Sequence, residues 1–160
     1  LAREGREVGV IRTAGRIHEA GAAQAVAAGV PITSADELDD ATLADIARSS
    51  ALVVDGILGI GTTDSPALRG EGRRVVAALL PVVTAEGGPA VIACDIPSGV
   101  GCDDAAVPDP AVLPADVTVT FGAGKAGLMQ GPGRALAGRV ELVDVGLDLS
   151  GATPLVRAAR

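Results

Sequence analysis

Apolar residues fall in short blocks separated by polar, glycine-bearing segments, and the blocks follow two different periods. Residues 7 to 12 (EVGVIR) form a short strand candidate. Residues 16 to 28 (RIHEAGAAQAVAA) are alanine-rich and read as a helix closed by Gly29 and Pro31. Ser34 followed by Glu37 makes a capping box for a helix running to about Arg48. In ALVVDGILG, the unbroken Leu52, Val53 and Val54 predict a buried strand. Val75, Val76, Leu79, Leu80 and Val83 recur at helical spacing within 71 to 86, and Pro81 is placed to kink or end that helix. PAVIACDI predicts a second buried strand, and RVELVDVG a last one. ADVTVTF alternates with period two, which predicts a strand with one face less buried.

Strands separated by helical patterns predict βαβ units. The expected fold class is therefore α/β: a mostly parallel sheet with helices on both faces, a three-layer αβα sandwich. The linkers are short and no internal repeat is visible. One domain is expected over residues 1 to 149, followed by a tail or linker over 150 to 160.

Composition narrows the function classes. The chain has 160 residues, 48% of them apolar, enough for a core. That core must be aliphatic, because Trp and Tyr are absent and Phe121 is the one phenylalanine. A net charge of −7 without a basic block argues against nucleic-acid or anionic-membrane partners. An anionic small molecule can still be held by local backbone donors. Cys94 and Cys102 lack a metal-binding or disulfide-framework pattern and read as reduced thiols. No apolar run approaches the roughly 18 residues of a membrane span, and no signal-peptide pattern is visible. A cytoplasmic location is expected. The chain opens LAREGREVGVIR, without Met, and Leu1 to Arg6 read like the end of a helix, so a start partway through a domain is expected.

In open parallel sheets, ligands bind beyond the carboxyl ends of strands. Three such ends here carry polar, glycine-bearing loops. In VVDGILGIGTTDSPALRG, Asp55 ends a strand, and Gly56, Gly59 and Gly61 allow close backbone approach. Thr62, Thr63, Asp64 and Ser65 add hydroxyl and amide groups suited to a phosphate, although GxGxxG is not met. The alternative is a capped helix start after a plain loop. In ACDIPSGVG, Asp95 and Ser98 flank Pro97 and precede Gly99. This is either a strand-ending turn capped by Asp95 or a turn that presents both side chains to a ligand. In TVTFGAGKAGLMQGPGRALAG, Lys125 lies among Gly122, Gly124 and Gly127, either solvated or facing the other two loops. His18 is the one histidine and reads as structural or solvent-facing, which leaves zinc chemistry and a Ser-His-Asp triad without support. Asp103, Asp104 and Asp109 read as a solvated loop, and nothing local assigns Arg134 or Arg139 a ligand.

The segments VDGILGIGTTDSPALRG, DIPSGV, ADVTVTFGAGKAGL and GPGRALAGRVELVDVGLDL follow one another as in the YjeF N-terminal domain family, the NAD(P)H-hydrate epimerases. The chain resembles that family over roughly residues 1 to 149. The resemblance implies a Rossmann-like fold and interconversion of the R and S forms of hydrated NADH and NADPH, as part of nicotinamide cofactor repair. It implies Asp95 as substrate-contacting and catalytic, Lys125 as charge-stabilising in the site, and Gly59, Ile60, Gly61, Thr62, Thr63, Asp64 and Ser65 as the substrate-binding loop. It implies a potassium ion held by Asp55 and Ser98, and oxygen-only ligation of that kind suits a hard cation. It further implies a homodimer and a companion ADP- or ATP-dependent NAD(P)H-hydrate dehydratase, fused C-terminally in many bacterial relatives. The family's GxGNNGGDG motif is absent from the chain, and with it an expected strand and further potassium and substrate contacts. The competing expectation is a non-catalytic Rossmann-like nucleotide-binding or dimerisation scaffold.

Overall fold

Branched aliphatic runs bounded by glycine, proline or aspartate set the strands of the computed structural model, which describes residues 1–14, 17–61 and 65–156. The elements run β1 (Val10–Arg12), α1 (Glu19–Ala27), β2 (Ile32–Ser34), α2 (Asp40–Ser49), β3 (Leu52–Asp55), α3 (Gly70–Val83), β4 (Ala90–Cys94), β5 (Val117–Phe121), α4 (Gly131–Leu136) and β6 (Arg139–Val143). β1 and β2 pair in parallel, and a separate parallel sheet has the order β3-β4-β5-β6. Parallel neighbours need crossovers, and α1, α3 and α4 supply three of them. The crossover from β4 to β5 has no helix at all; it is the loop that carries Asp95 and Ser98. The architecture is that of a Rossmann-like three-layer α/β sandwich with parallel strands, as the alternating pattern predicts.

Register explains where the core sits. It sets Val53, Asp55, Val91, Ala93, Thr118 and Thr120 on one face of the four-stranded sheet. All of these but Val53 are buried. α3 packs on the core of that face through Val75, Val76, Leu79 and Val82, together with Leu43 and Ala47 of α2. A second cluster, Ile96, Val100, Val112, Leu128 and Ala137, lies under the loops that follow β4 and β5. On the other face Val54, Phe121 and Val143 are exposed and Val119 is half-buried. The period-two pattern of β5 thus does mark one face as less buried, but the buried face carries the threonines and the open one the valines. The hydroxyls tolerate burial because each finds an acceptor: Thr118 Oγ1 donates to the Ala137 carbonyl at 2.7 Å and Thr120 Oγ1 to Asp95 at 3.1 Å.

Two local expectations are corrected and a third holds. Ser34 does not cap a helix. It ends β2, a strand too short and polar to stand out in the sequence, and accepts from Arg12 Nη2 of β1 at 3.3 Å. Residues Ala35–Glu37 make one 3-10 turn, and α2 starts later, capped by Asp39, whose carboxylate accepts from Thr42 N at 2.7 Å. A carboxylate at a helix N-terminus also meets the positive end of the helix dipole, so Asp39 is the better cap. Pro81 does not end α3 at its own position, because it falls in the last turn and the helix runs on to Val83. His18 is structural as expected: its Nδ1 caps α1 by accepting from Gly21 N at 3.0 Å.

Candidate active site

Asp55 and Ser98 lie on adjacent strand ends and are knitted together. Asp55 is 3% exposed and Ser98 1%. Ser98 donates twice, from its amide to Asp55 Oδ2 at 2.8 Å and from its hydroxyl to Oδ1 at 2.6 Å. The same hydroxyl accepts from Leu58 N at 2.9 Å, so the loop after β3 is tied to the turn after β4. Among the described residues, every partner of Asp55 is a neutral donor. A buried carboxylate without a cationic side chain beside it, next to a hydroxyl and the Leu58 carbonyl, is a hard all-oxygen donor set.

Asp95, the first residue past β4, has a different environment. Its backbone φ is +74°, a left-handed conformation that aspartate and asparagine enter more readily than other side chains. Its amide continues the ladder to the Val119 carbonyl at 2.7 Å, so the unusual φ turns the side chain while the strand pairing persists. One carboxylate oxygen, Oδ1, accepts three hydrogen bonds: from Thr120 Oγ1 at 3.1 Å, from Phe121 N at 3.2 Å and from Lys125 Nζ. Oδ2 accepts none from the described residues. Lys125 also donates to the Phe121 carbonyl at 2.8 Å, and the side chains of Lys125 and Asp95 are 9% and 19% exposed. Burial works to raise the Asp95 carboxyl, but Lys125, the Phe121 amide and the Thr120 hydroxyl outweigh it and hold it below the ordinary carboxylate value. Asp95 is thus an ionised carboxylate at neutral pH, with one oxygen anchored.

Two glycines let these loops meet. Gly99, at φ +107°, occupies the third position of the turn closed by Val100 N to the Pro97 carbonyl at 3.1 Å. A Cβ there would also lie 2.6 Å from Val112 Cγ2. Gly127 donates to the Cys102 carbonyl at 2.7 Å, and a Cβ on it would collide with the Gly101 carbonyl. The loop bearing Lys125 therefore approaches the loop after β4 backbone to backbone.

A cleft of about 370 Å³ opens beside the loop after β3, lined by Thr13, Leu58, Gly61, Ser65, Arg69 and Gly72 among others. Gly61 and Ser65 thus border a cavity, whereas Gly59 and Ile60 are exposed and outside its lining. Thr62, Thr63 and Asp64 lie outside the described residues. Partial burial, with Asp95 and Asp55 close to one sulfur and Asp103 to the other, raises the thiols of Cys94 and Cys102, so neither is an activated nucleophile.

A family model described as YjeF-related protein N-terminus matches residues 1–127. The chain belongs to that family. The NAD(P)H-hydrate epimerase of Clavibacter michiganensis subsp. michiganensis is 99% identical over all of the chain, which spans 70% of that relative. The NAD(P)H-hydrate epimerase of Microbacterium testaceum is 46% identical over 99% of the chain and 59% of its own length. The bifunctional NAD(P)H-hydrate repair enzyme Nnr of Escherichia coli is 36% identical over 63% of the chain and 18% of its own length. The crystal structure of yeast ynu0 superposes with a TM-score of 0.64 at 20% identity, over 80% of the chain and 51% of the yeast chain. That likeness carries the fold.

Within this YjeF-related fold, the structure joins the sequence candidates in two pairs, Asp55 with Ser98 and Asp95 with Lys125. Thr120 and the Phe121 amide were not singled out by the sequence, although both contact Asp95. The available signal was a threonine two residues from another at strand period, which also fits an ordinary strand face. Arg69 of the cleft was likewise missed, because a single arginine before a helix carries no local signature. The remaining polar candidates have structural partners: Arg134 reaches the Gly138 carbonyl at 3.3 Å, Arg139 pairs with Glu141, and Asp109 pairs with Arg73 at 3.0 Å.

Proposed function

We propose that the chain provides the epimerase domain of a nicotinamide-cofactor repair enzyme, interconverting the R and S forms of hydrated NADH and NADPH. The observation that carries this reading is the state of Asp95: ionised, anchored through Oδ1, and open at Oδ2. In the hydrate, the hydroxyl-bearing carbon adjoins the ring nitrogen as a hemiaminal. Inverting it requires a bond at that carbon to break and reform from the other side. No atom or electron is gained overall, so the protein must take a proton and return it. A positioned carboxylate does this, typically for a gain of about 10²–10⁴-fold. In this reading Lys125 holds Asp95 ionised and offers positive charge near the reacting oxygen.

The loop Gly59 to Ser65 is assigned to substrate, with Gly61 and Ser65 on the cleft and backbone amides suited to a pyrophosphate. Asp55 and Ser98 are assigned to a potassium ion; their oxygen-rich, buried donor set is the chemistry such an ion takes. When bound it supplies positive charge beside the substrate loop, and the proton transfer stays with Asp95. An ADP- or ATP-dependent dehydratase would consume the epimer that this domain supplies, and the name of the E. coli relative, a bifunctional repair enzyme, supports a companion activity of that kind. A cytoplasmic location fits a nicotinamide substrate, and no described helix is long and apolar enough to cross a membrane. A scaffold has no need for a lysine-paired carboxylate with one open oxygen, which weighs against the non-catalytic reading. The test is NMR exchange between R and S hydrate with the full-length protein, with and without potassium. Exchange above the uncatalysed rate is expected, faster with potassium; exchange at the uncatalysed rate in both would overturn the assignment.

A further inference from the structure

We infer that Thr120 is a positioning residue for Asp95, and that it fixes Oδ2 as the oxygen that exchanges the proton. The inference rests on the reading of Asp95 as the acid–base group. Thr120 is fully buried at 0% exposure, in the middle of the sheet, where valine would be the ordinary choice for a β-branched residue. A hydroxyl placed there is costly unless it is used. Among the described residues, its hydroxyl has one hydrogen bond, donated to Asp95 Oδ1 at 3.1 Å. The neighbouring Thr118 has the same burial but donates to a main-chain carbonyl, an ordinary structural use.

The geometry around Oδ1 makes this bond directional. Lys125 approaches from the loop after β5 and the Phe121 amide from the strand end, while Thr120 holds the oxygen from the buried face of the sheet. Without Thr120, Oδ1 would be held only by a flexible lysine and by one long bond from the strand-end amide at 3.2 Å, which leaves the carboxylate freer to rotate about its Cβ–Cγ bond. A donor on the rigid strand removes that freedom and leaves Oδ2 as the one oxygen facing outward. The backbone of Asp95 is also held in its left-handed conformation, so the side chain has few other places to go. Among the described residues, the titratable groups around Asp95 are Lys125 and the thiols of Cys94 and Cys102, with Asp55 beyond Cys94; both thiols are raised and neutral at working pH.

The test uses Thr120→Val and Thr120→Ser in the full-length protein. Valine keeps the shape and removes the donor; serine keeps the donor. Thr120→Val is expected to lower kcat about 10-fold with KM unchanged, since a lost hydrogen bond to a charged group costs at least on that order. The acidic limb of its kcat–pH profile is expected to move to higher pH, because a donor to the charged form is gone. Thr120→Ser is expected to restore both. Carbon-13 NMR titration of the Asp95 carboxyl in the absence of substrate reads the same shift without reference to turnover. An unchanged Asp95 titration and an unchanged acidic limb in Thr120→Val would overturn the inference, as would equal losses in the valine and serine variants. A shifted titration in Thr120→Val, with full turnover in Asp95→Asn, would instead place the failure in the acid–base reading of Asp95.

Discussion

Asp55 and Asp95 end adjacent parallel strands, yet the chain treats them in opposite ways. Asp55 is buried, and both of its oxygens are taken by Ser98. It acts as a clasp between two loops, with a carboxylate chemistry that suits a cation. Asp95 is partly exposed, and all its donors crowd one oxygen. A carboxylate satisfied on both oxygens by a neighbouring turn is poorly placed to move protons. One that is held on a single side keeps the other for chemistry. The difference arises from backbone conformation: Asp55 is still in its strand, whereas Asp95 has passed into the left-handed region.

Substitution at each position should separate the two roles. The largest effect is expected for Asp95→Asn. Asparagine accepts the same left-handed backbone and retains an Oδ1 for Thr120, Phe121 and Lys125, so the fold should persist while the open oxygen is lost. R/S exchange is expected to fall by about 10²–10⁴-fold in steady-state assays, with the melting temperature nearly unchanged. Next comes Lys125→Met, which removes the largest favourable influence on the Asp95 carboxylate. Its carboxyl then titrates at higher pH, and protonation disables a base, so the acidic limb of the pH–rate profile should move upward. Rate measurements between pH 4 and 8 check that sign.

Smaller effects test the clasp. Asp55→Ala leaves the Ser98 amide without an acceptor in a buried site, at a cost of about 1–3 kcal/mol in denaturant unfolding. In the same variant the potassium concentration giving half-maximal activity should rise; an unchanged value would remove Asp55 from the cation site. Gly127→Ala forces the Lys125 loop off the loop after β4, with an expected cost of about 3 kcal/mol. Thermal unfolding should then shift down by roughly 6 to 12 °C. If Gly127→Ala is as stable as the parent, the backbone contact between those loops is not needed to assemble the Asp95–Lys125 pair.

Much of this arrangement can be read from residue pattern alone. Uniformly apolar runs such as Leu52 to Val54 and the long helical repeat of α3 carry strong local signals, and both fall where expected. β2 has three residues and its one flanking signal, Ser34, is shared with helix caps, so a long-range bond from Arg12 decides its fate. The site shows the same division. Asp55, Asp95, Ser98 and Lys125 follow strand ends, where position itself points to ligand chemistry. The orientation of Asp95 is not local, since it depends on a +74° backbone angle and on Thr120, 25 residues away. The buried threonine face of β5 is invisible to periodicity for a similar reason. Alternation reports two faces but leaves open which one meets the core.

The most direct test of the division between the two aspartates is the R/S hydrate exchange rate, measured by NMR in the full-length protein and in its Asp95→Asn and Asp55→Ala variants across a potassium titration. The account predicts that Asp95→Asn loses exchange at every potassium concentration, whereas Asp55→Ala recovers part of its rate as potassium is raised. Near-normal exchange in Asp95→Asn, or recovery of that variant by potassium, would contradict it.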